Sequence, residues 1–270
     1  MFIDFLIGGI SASISKTSLA PIELYRIQKQ NYFLPNTSLR NVVKHEGIFG
    51  LWKGNGVNCI RAFPQYAINL SLFRNIKESN IFNIENKELL HFTCGLISGT
   101  TSMVLIYPLE TCKTYLSLQT NKNKFNNIRD VLKNVHPRQL YGGVLMSVFG
   151  FAPWNAISLT SYHYYKNVKW FNYKIYDNLF SGGLAGITAI SITYPTDLIR
   201  RRLQLQNFDT LVPKYNGILD CVNKVYKKEG LRGFYRGISG NYIKAFPNGA
   251  IQFYTMECLT KYLKPSHRDN

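Results

Sequence analysis

Acid is scarce in this sequence. Asp and Glu number 15 against 32 Lys and Arg, a net charge of +17. That excess calls for an anionic partner, which could be nucleic acid, an acidic membrane surface or a small anionic substrate. Cysteine is thin too: Cys59, Cys94, Cys112, Cys221 and Cys258 form no C-x-x-C, and the five histidines form no H-E-x-x-H. Neither a disulfide framework nor a metal site is expected, and these cysteines read as small core residues. No nucleophile, base and orienting group stand together, so neither an enzyme nor a cofactor is expected. Apolar surface is plentiful, with 46% hydrophobic and 14% aromatic residues, which excludes disorder.

Charge is missing altogether from three long stretches. Leu89 to Leu109, Gln139 to Tyr165 and Asn178 to Thr196 contain no Asp, Glu, Lys or Arg, and each is about as long as the roughly 20 residues a bilayer-spanning helix needs. Three more stretches reach that length if one base is allowed in each: Lys16 in Phe5 to Ile22, Arg61 in Gly54 to Phe73, and Lys244 in Gly237 to Met256. Six spans are therefore expected. The mean hydropathy of −0.12 is low for a bundle facing lipid all round, so either several faces line water or the runs are soluble core helices. The amino terminus MFIDFLIGGISASISK has neither a basic leader nor an Arg/Ser-rich transit segment, and no removable targeting peptide is expected.

An internal repeat decides between these alternatives. APIELYR (Ala20 to Arg26), YPLETCK (Tyr107 to Lys113) and YPTDLIR (Tyr194 to Arg200) share P-x-[DE]-x-x-[KR], with Pro21, Pro108 and Pro195 each 87 residues apart. Gly8, Gly95 and Gly182, then Ala12, Gly99 and Gly186, lie upstream in the same register and give each helix a small-xxx-small face suited to close packing. A second landmark repeats independently: LWKG, LYGG and FYRG precede Pro64, Pro153 and Pro247 at one fixed offset. Polar amphipathic segments such as Tyr215 to Lys228 sit between the spans of each repeat. They run into an E-G turn at Glu46-Gly47 and Glu229-Gly230, replaced by Val135-His136 in the second repeat.

Three tandem copies of this double motif, covering essentially the whole chain, resemble the mitochondrial carrier family. The resemblance implies an all-α membrane protein: six transmembrane helices in a threefold pseudosymmetric barrel, with three short amphipathic helices on the matrix side. The repeats are then residues 1–86, 87–173 and 174–270 of one transport domain. It further implies a multi-pass monomer of the mitochondrial inner membrane, both termini on the cytoplasmic side, that exchanges small metabolites by alternating access. GGISASISKTSLAPIE, LWKGNGVNCIRAFPQYAIN and PTDLIRRR are similar to the ADP/ATP carriers, while Leu203-Gln204-Leu205 and Asn155 depart from them and FGFAPWNAI looks more like carriers of ATP-Mg, coenzyme A or thiamine pyrophosphate.

Charges at membrane depth must pair or touch water. The acids Glu23, Glu110 and Asp197 can pair around a ring with Arg26, Lys113 and Arg200, forming what the resemblance identifies as a matrix gate braced by Gln30 and Gln204, with Ser117 in the second repeat. Lys16, Arg61 and Lys244 each interrupt an uncharged span and imply a positive cavity, unless each snorkels to a headgroup. Gly150, equivalent to Arg61 and Lys244, leaves room beside Phe151 and Trp154 for a flat ring, with lipid-facing aromatics as the alternative. By resemblance Lys16, Arg61, Asn69, Gly150, Phe151, Trp154 and Lys244 bind a nucleotide-like substrate. The resemblance also implies a cytoplasmic gate, here Lys77, Lys166 and Glu257, with Arg74 and His163 standing where the family has two further acids. The pairs Lys53-Gly54 and Arg236-Gly237 suit cardiolipin phosphates or other anionic lipid at helix starts. The expected function is nucleotide exchange, with coenzyme A or thiamine pyrophosphate as the alternative substrate. A basic nucleic-acid-binding helical protein would explain the charge but not the base-free runs or the gate motif, so no nucleic acid partner is expected.

Overall fold

The computed structural model describes residues 2–31, 38–79, 85–119, 125, 127–168, 170, 174–206, 208 and 212–263. Residues 171–173 and 264–270, where the second and third repeats are expected to end, lie outside them. Every regular element among the described residues is helical. In chain order these are α1 (Phe2–Ser18), α2 (Ala20–Gln30), α3 (Leu39–Glu46), a 3-10 turn (Ile48–Trp52), α4 (Asn55–Ser79), α5 (Lys87–Leu118), α6 (Ile128–Asn134), α7 (Pro137–Leu140), α8 (Val144–Lys166), α9 (Lys174–Leu205), α10 (Ile218–Gly233) and α11 (Ile238–Leu263). Neighbouring long helices pack α1 on α4, α4 on α5, α5 on α8, α8 on α9, α9 on α11 and α11 back on α1, closing a ring.

The prolines of the three motifs do not act alike. Leu19 breaks the first helix (φ −101°, ψ 5°), which puts Pro21 in the first turn of α2, where a missing N–H costs little. Pro108 and Pro195 instead lie inside continuous helices, as do Pro64, Pro153 and Pro247. Each forfeits one backbone hydrogen bond, and the ladder resumes beyond it.

The apolar core collects at the end of the ring that holds the proline motifs. Ile27, Tyr115, Leu118, Val131, Leu140 and Leu205 form one buried cluster there, and Tyr194, Leu198, Ile199, Leu203, Cys221 and Val225 another. The two halves of the repeated signature meet at this end. Tyr107 stacks on Tyr141 (centroids 6.2 Å) and donates to the Gly142 carbonyl, while Tyr194 stacks on Tyr235 (6.3 Å) and donates to the Arg236 carbonyl. In the first repeat, which has Ala20 in place of tyrosine, the Trp52 indole donates to the Thr17 carbonyl.

Gly54, Gly143 and Gly237 close the circle. All three have positive φ (78°, 78° and 86°), and a Cβ at each would meet the next repeat's helix, 3.0 Å from the Lys113 carbonyl oxygen at Gly54, 2.5 Å from that of Arg200 at Gly143 and 3.3 Å from that of Arg26 at Gly237. Glycine is demanded twice over, by backbone conformation and by close approach. The E-G turns also need positive φ, 74° at Gly47 and 64° at Gly230, whereas His136 passes the same point at φ −59°, ψ 137° and α7 follows it.

Away from this end, large apolar side chains such as Ile60, Leu105, Phe149, Ile192 and Ile243 are exposed on the long helices, as faces turned to hydrocarbon would be. By length and composition, Leu89–Leu118 and Pro137–Lys166 are the stretches among the described residues apolar enough to cross a membrane. Asn178 to Thr196 is free of charge, but its Gly, Ser and Thr residues dilute its hydropathy. The remaining segments carry bases.

The small-residue faces split between two uses. The Tyr66 ring lies over Gly8, the Phe63 ring over Gly9, the Phe151 ring over Gly99 and the Phe246 ring over Gly183, whereas a Cβ on Gly95, Gly182 or Gly186 would meet nothing within 4 Å. Gly183→Val should drive Phe246 off its seat and cost about 1–3 kcal/mol through overpacking. Thermal unfolding in detergent should show a clear fall in Tm for that variant and little change for Gly182→Ala, its neighbour in open space.

Candidate functional site: an ion-pair ring beneath a basic cavity

The three proline motifs bring their charges together where α2, α5 and α9 converge. Each acid reaches the base of the next repeat: Glu23 to Lys113 (3.1 Å), Glu110 to Arg200 (3.4 Å) and Asp197 to Arg26 (3.6 Å). Glu23 also bonds Arg26 in its own motif at 2.6 Å. Both glutamines reach groups of the proline motifs. Gln30 donates to the Tyr194 hydroxyl and to Asp197, and Gln204 donates to Thr111 while accepting from Thr114 and Arg201. Ser117 instead donates to the carbonyls of Lys53 and Lys113.

Three further bases join the ring, and they change its character. Lys244 bonds Glu23 at 2.6 Å, and Arg61 bonds Glu110 while also donating to Asn58. Arg201 is 2% exposed; it reaches Glu110 at 2.9 Å and donates to Thr114. Sequence reasoning noticed Arg201 only as the middle of an arginine triplet, because its helical register alone does not show that it turns inward. Six bases thus share three carboxylates among the described residues. The Nε–H groups of Arg26, Arg61, Arg200 and Arg201 are buried without a hydrogen-bond partner, so donors remain available around the ring.

A cavity of about 540 Å³ opens above it. Lys244, Asp197 and Arg200 lie at its charged end, and Gly150, Phe151 and Trp154 on its aromatic side. The room does not come from Gly150 as expected: a Cβ there would stand 2.6 Å from the Thr196 hydroxyl, so this glycine admits α9 to α8. Gly182 and Gly186 provide the open surface. Arg61 lies outside this lining, turned to Glu110. Lys16 is half-buried with no partner among the described residues, and Asn69 lines a second cavity.

The remaining expected residues are spread out. Lys77 and Glu257 are exposed near the ends of α4 and α11, and the Lys166 ammonium lies 5.8 Å from the Tyr162 ring centroid. The proposed lipid bases are already engaged. Lys53 donates to Glu46 and to the Gln119 carbonyl, and Arg236 donates to Glu229 at 3.3 Å.

A profile for the family described as mitochondrial carrier protein matches residues 1–82, 85–173 and 171–267. The chain is 30% identical to an uncharacterized mitochondrial carrier of Schizosaccharomyces pombe, over 97% of this chain and 92% of that protein. It is 30% identical to human solute carrier family 25 member 16, over 96% and 87% respectively, and 29% identical to a mitochondrial adenine nucleotide transporter of Arabidopsis thaliana, over 95% and 85%. Proteins of this class are membrane-embedded transporters of small anions, not enzymes, and reside in the mitochondrial inner membrane. The chain belongs to the mitochondrial carrier family.

One ion pair outside the spans can be tested by pH. Arg202, 2% exposed, forks onto Glu229 of α10, which Arg236 also reaches. Burial works against ionisation of Glu229, but hydrogen bonds from Arg202 and the charges of Arg202 and Arg236 hold its carboxyl below the usual range. The folded pKa is depressed, so the pair's full contribution is present at neutral pH and is lost as pH falls through the carboxylate range. Removing one partner of a buried pair costs about 3–5 kcal/mol. Glu229→Gln should therefore lower Tm at pH 7 in detergent, and the gap from the unaltered protein should narrow as pH falls below the ordinary carboxylate range.

Proposed function

We propose that this carrier is an antiporter that exchanges nucleotides, adenine nucleotides or related nucleoside phosphates, across the mitochondrial inner membrane. The single observation behind this reading is the excess of six bases over three carboxylates at the floor of the cavity. A phosphorylated anion supplies the missing negative charge, and its ring can lie against Phe151, Trp154 and the open glycine face. The similarity to a plant adenine nucleotide transporter supports the same substrate class. Coenzyme A or thiamine pyrophosphate is the second reading, favoured by the FGFAPWNAI segment.

In this reading the long helices, with α1 and α2 counted as one, are six spans of a threefold pseudosymmetric barrel built from repeats 1–86, 87–173 and 174–270. Both termini face the cytoplasm, α3, α6 and α10 lie on the matrix side, and cardiolipin binds at the starts of α4 and α11 to a monomeric carrier. Arg61 and Lys244 link substrate to gate. Phosphates compete with Glu110 and Glu23 for these two bases, which releases the acids and loosens the ring, so binding is converted into opening. Lys16 provides a further charge and Asn69 a polar contact in the substrate path.

Arg61→Ala and Lys244→Ala should each reduce nucleotide exchange in proteoliposomes at least tenfold while the protein still folds, and retained exchange in both variants would overturn the assignment. A second expectation concerns the resting state. The ring of Glu23, Glu110 and Asp197 is fully paired, whereas Arg74 and His163 replace two acids at the other end. At about 0.5–1 kcal/mol per partly solvated pair, two missing pairs shift a two-state equilibrium several-fold. Single cysteines just inside each gate should label from the cytoplasmic side in the empty carrier, and Arg74→Asp should raise matrix-side labelling.

A further inference from the structure

A second cavity, about 420 Å³, lies between α4, α5 and α8 on the other side of Phe151, which lines both. Its volume is within the range of about 300–1,000 Å³ usual for small-molecule sites. The repeat generates it. His91, Gly95 and Gly99 line it at positions 87 residues before Asn178, Gly182 and Gly186, which are the first cavity's counterparts on α9. Gly95 is open in the same way as Gly182, with nothing within 4 Å of a Cβ. The chemistry of the two differs. The first cavity ends in Lys244, Arg26, Arg200 and Asp197; the second has no Lys, Arg, Asp or Glu in its lining.

In their place the second cavity carries two carboxamides, on α4 and α8. Asn69 makes no side-chain hydrogen bond to a described residue, and Asn155 uses only its Nδ2, which donates to the Phe151 carbonyl at 2.9 Å. The Tyr66 ring flanks them, with Phe73 and His91 as a tilted pair 6.1 Å apart. A carboxamide offers both donor and acceptor, as a secondary amide requires, while the rings favour an apolar chain between such groups. A phosphate would find no cation here.

We propose that this cavity is a second compartment of the substrate site, which takes an uncharged, amide-bearing arm of a substrate whose phosphates and ring lie in the first cavity. This deepens the nucleotide reading and rests on it. The substrate class becomes a nucleoside phosphate esterified to a neutral arm, with Phe151 as the partition between the two parts.

The test is a matched pair of probes: ADP, which has no arm, and dephospho-coenzyme A, which is ADP esterified through its β-phosphate to an arm containing two amides. Dephospho-coenzyme A should compete with ADP for exchange in proteoliposomes, and each should raise Tm in detergent. Gly95→Leu, which fills open space, should weaken dephospho-coenzyme A at least tenfold in both assays while changing ADP less than twofold. Asn155→Ala should give the same selectivity with a smaller loss. Equal losses for both probes, or failure of dephospho-coenzyme A to compete in the unaltered carrier, overturn the second compartment and leave ADP exchange standing. If neither probe is exchanged or raises Tm, the nucleotide reading itself fails.

Discussion

Three carboxylates hold six bases at one end of this helical ring, and the remaining features follow from that imbalance. A charge at membrane depth must be paired or hydrated. Glu23 and Glu110 therefore each serve three bases, Asp197 holds Arg26, and together they draw the three repeats together. A ring with matched charges would be self-sufficient. This one stays under-compensated, and an anion entering the cavity can replace a carboxylate as the partner of Arg61 or Lys244 without leaving a base unpaired. In the proposed function, attraction of the substrate and release of the gate then become one electrostatic event.

The scaffold concentrates its rigidity around that event. The buried apolar clusters, the tyrosine hydroxyls bonded to the carbonyls of Gly142 and Arg236, and the three close glycine contacts all lie at the ion-pair end. Gly54, Gly143 and Gly237 each approach the next repeat beside Lys113, Arg200 and Arg26 respectively. The opposite end is hollower. Open faces at Gly95, Gly182 and Gly186 leave cavities there that side chains could have filled. Close packing and empty space are thus divided along the bundle axis.

Much of this was legible in the chain because its signals are local. The 87-residue period placed Pro21, Pro108 and Pro195 on one plan, and charge-free runs marked long helices. The acid-to-base order around the ring was also accessible, since three copies of one motif leave few ways to pair. Other expectations failed where rotation about a helix axis decides the outcome. Gly150 was expected to open a slot and instead faces Thr196; Gly95 and Gly182 were expected to pack and instead line cavities. Arg201 stood in plain sight beside Arg200, yet only the convergence of α5 and α9 turns it onto Glu110. The sequence by itself determined the repeat, the helices, the charge imbalance and the residues able to form a gate, because these depend on hydropathy, backbone stereochemistry and spacing within a helix. Only the tertiary structure decided that Arg61 and Lys244 rest on the gate acids and that Phe151 divides two cavities. Those partners are far apart in the chain and meet by helix rotation and packing that local pattern does not encode.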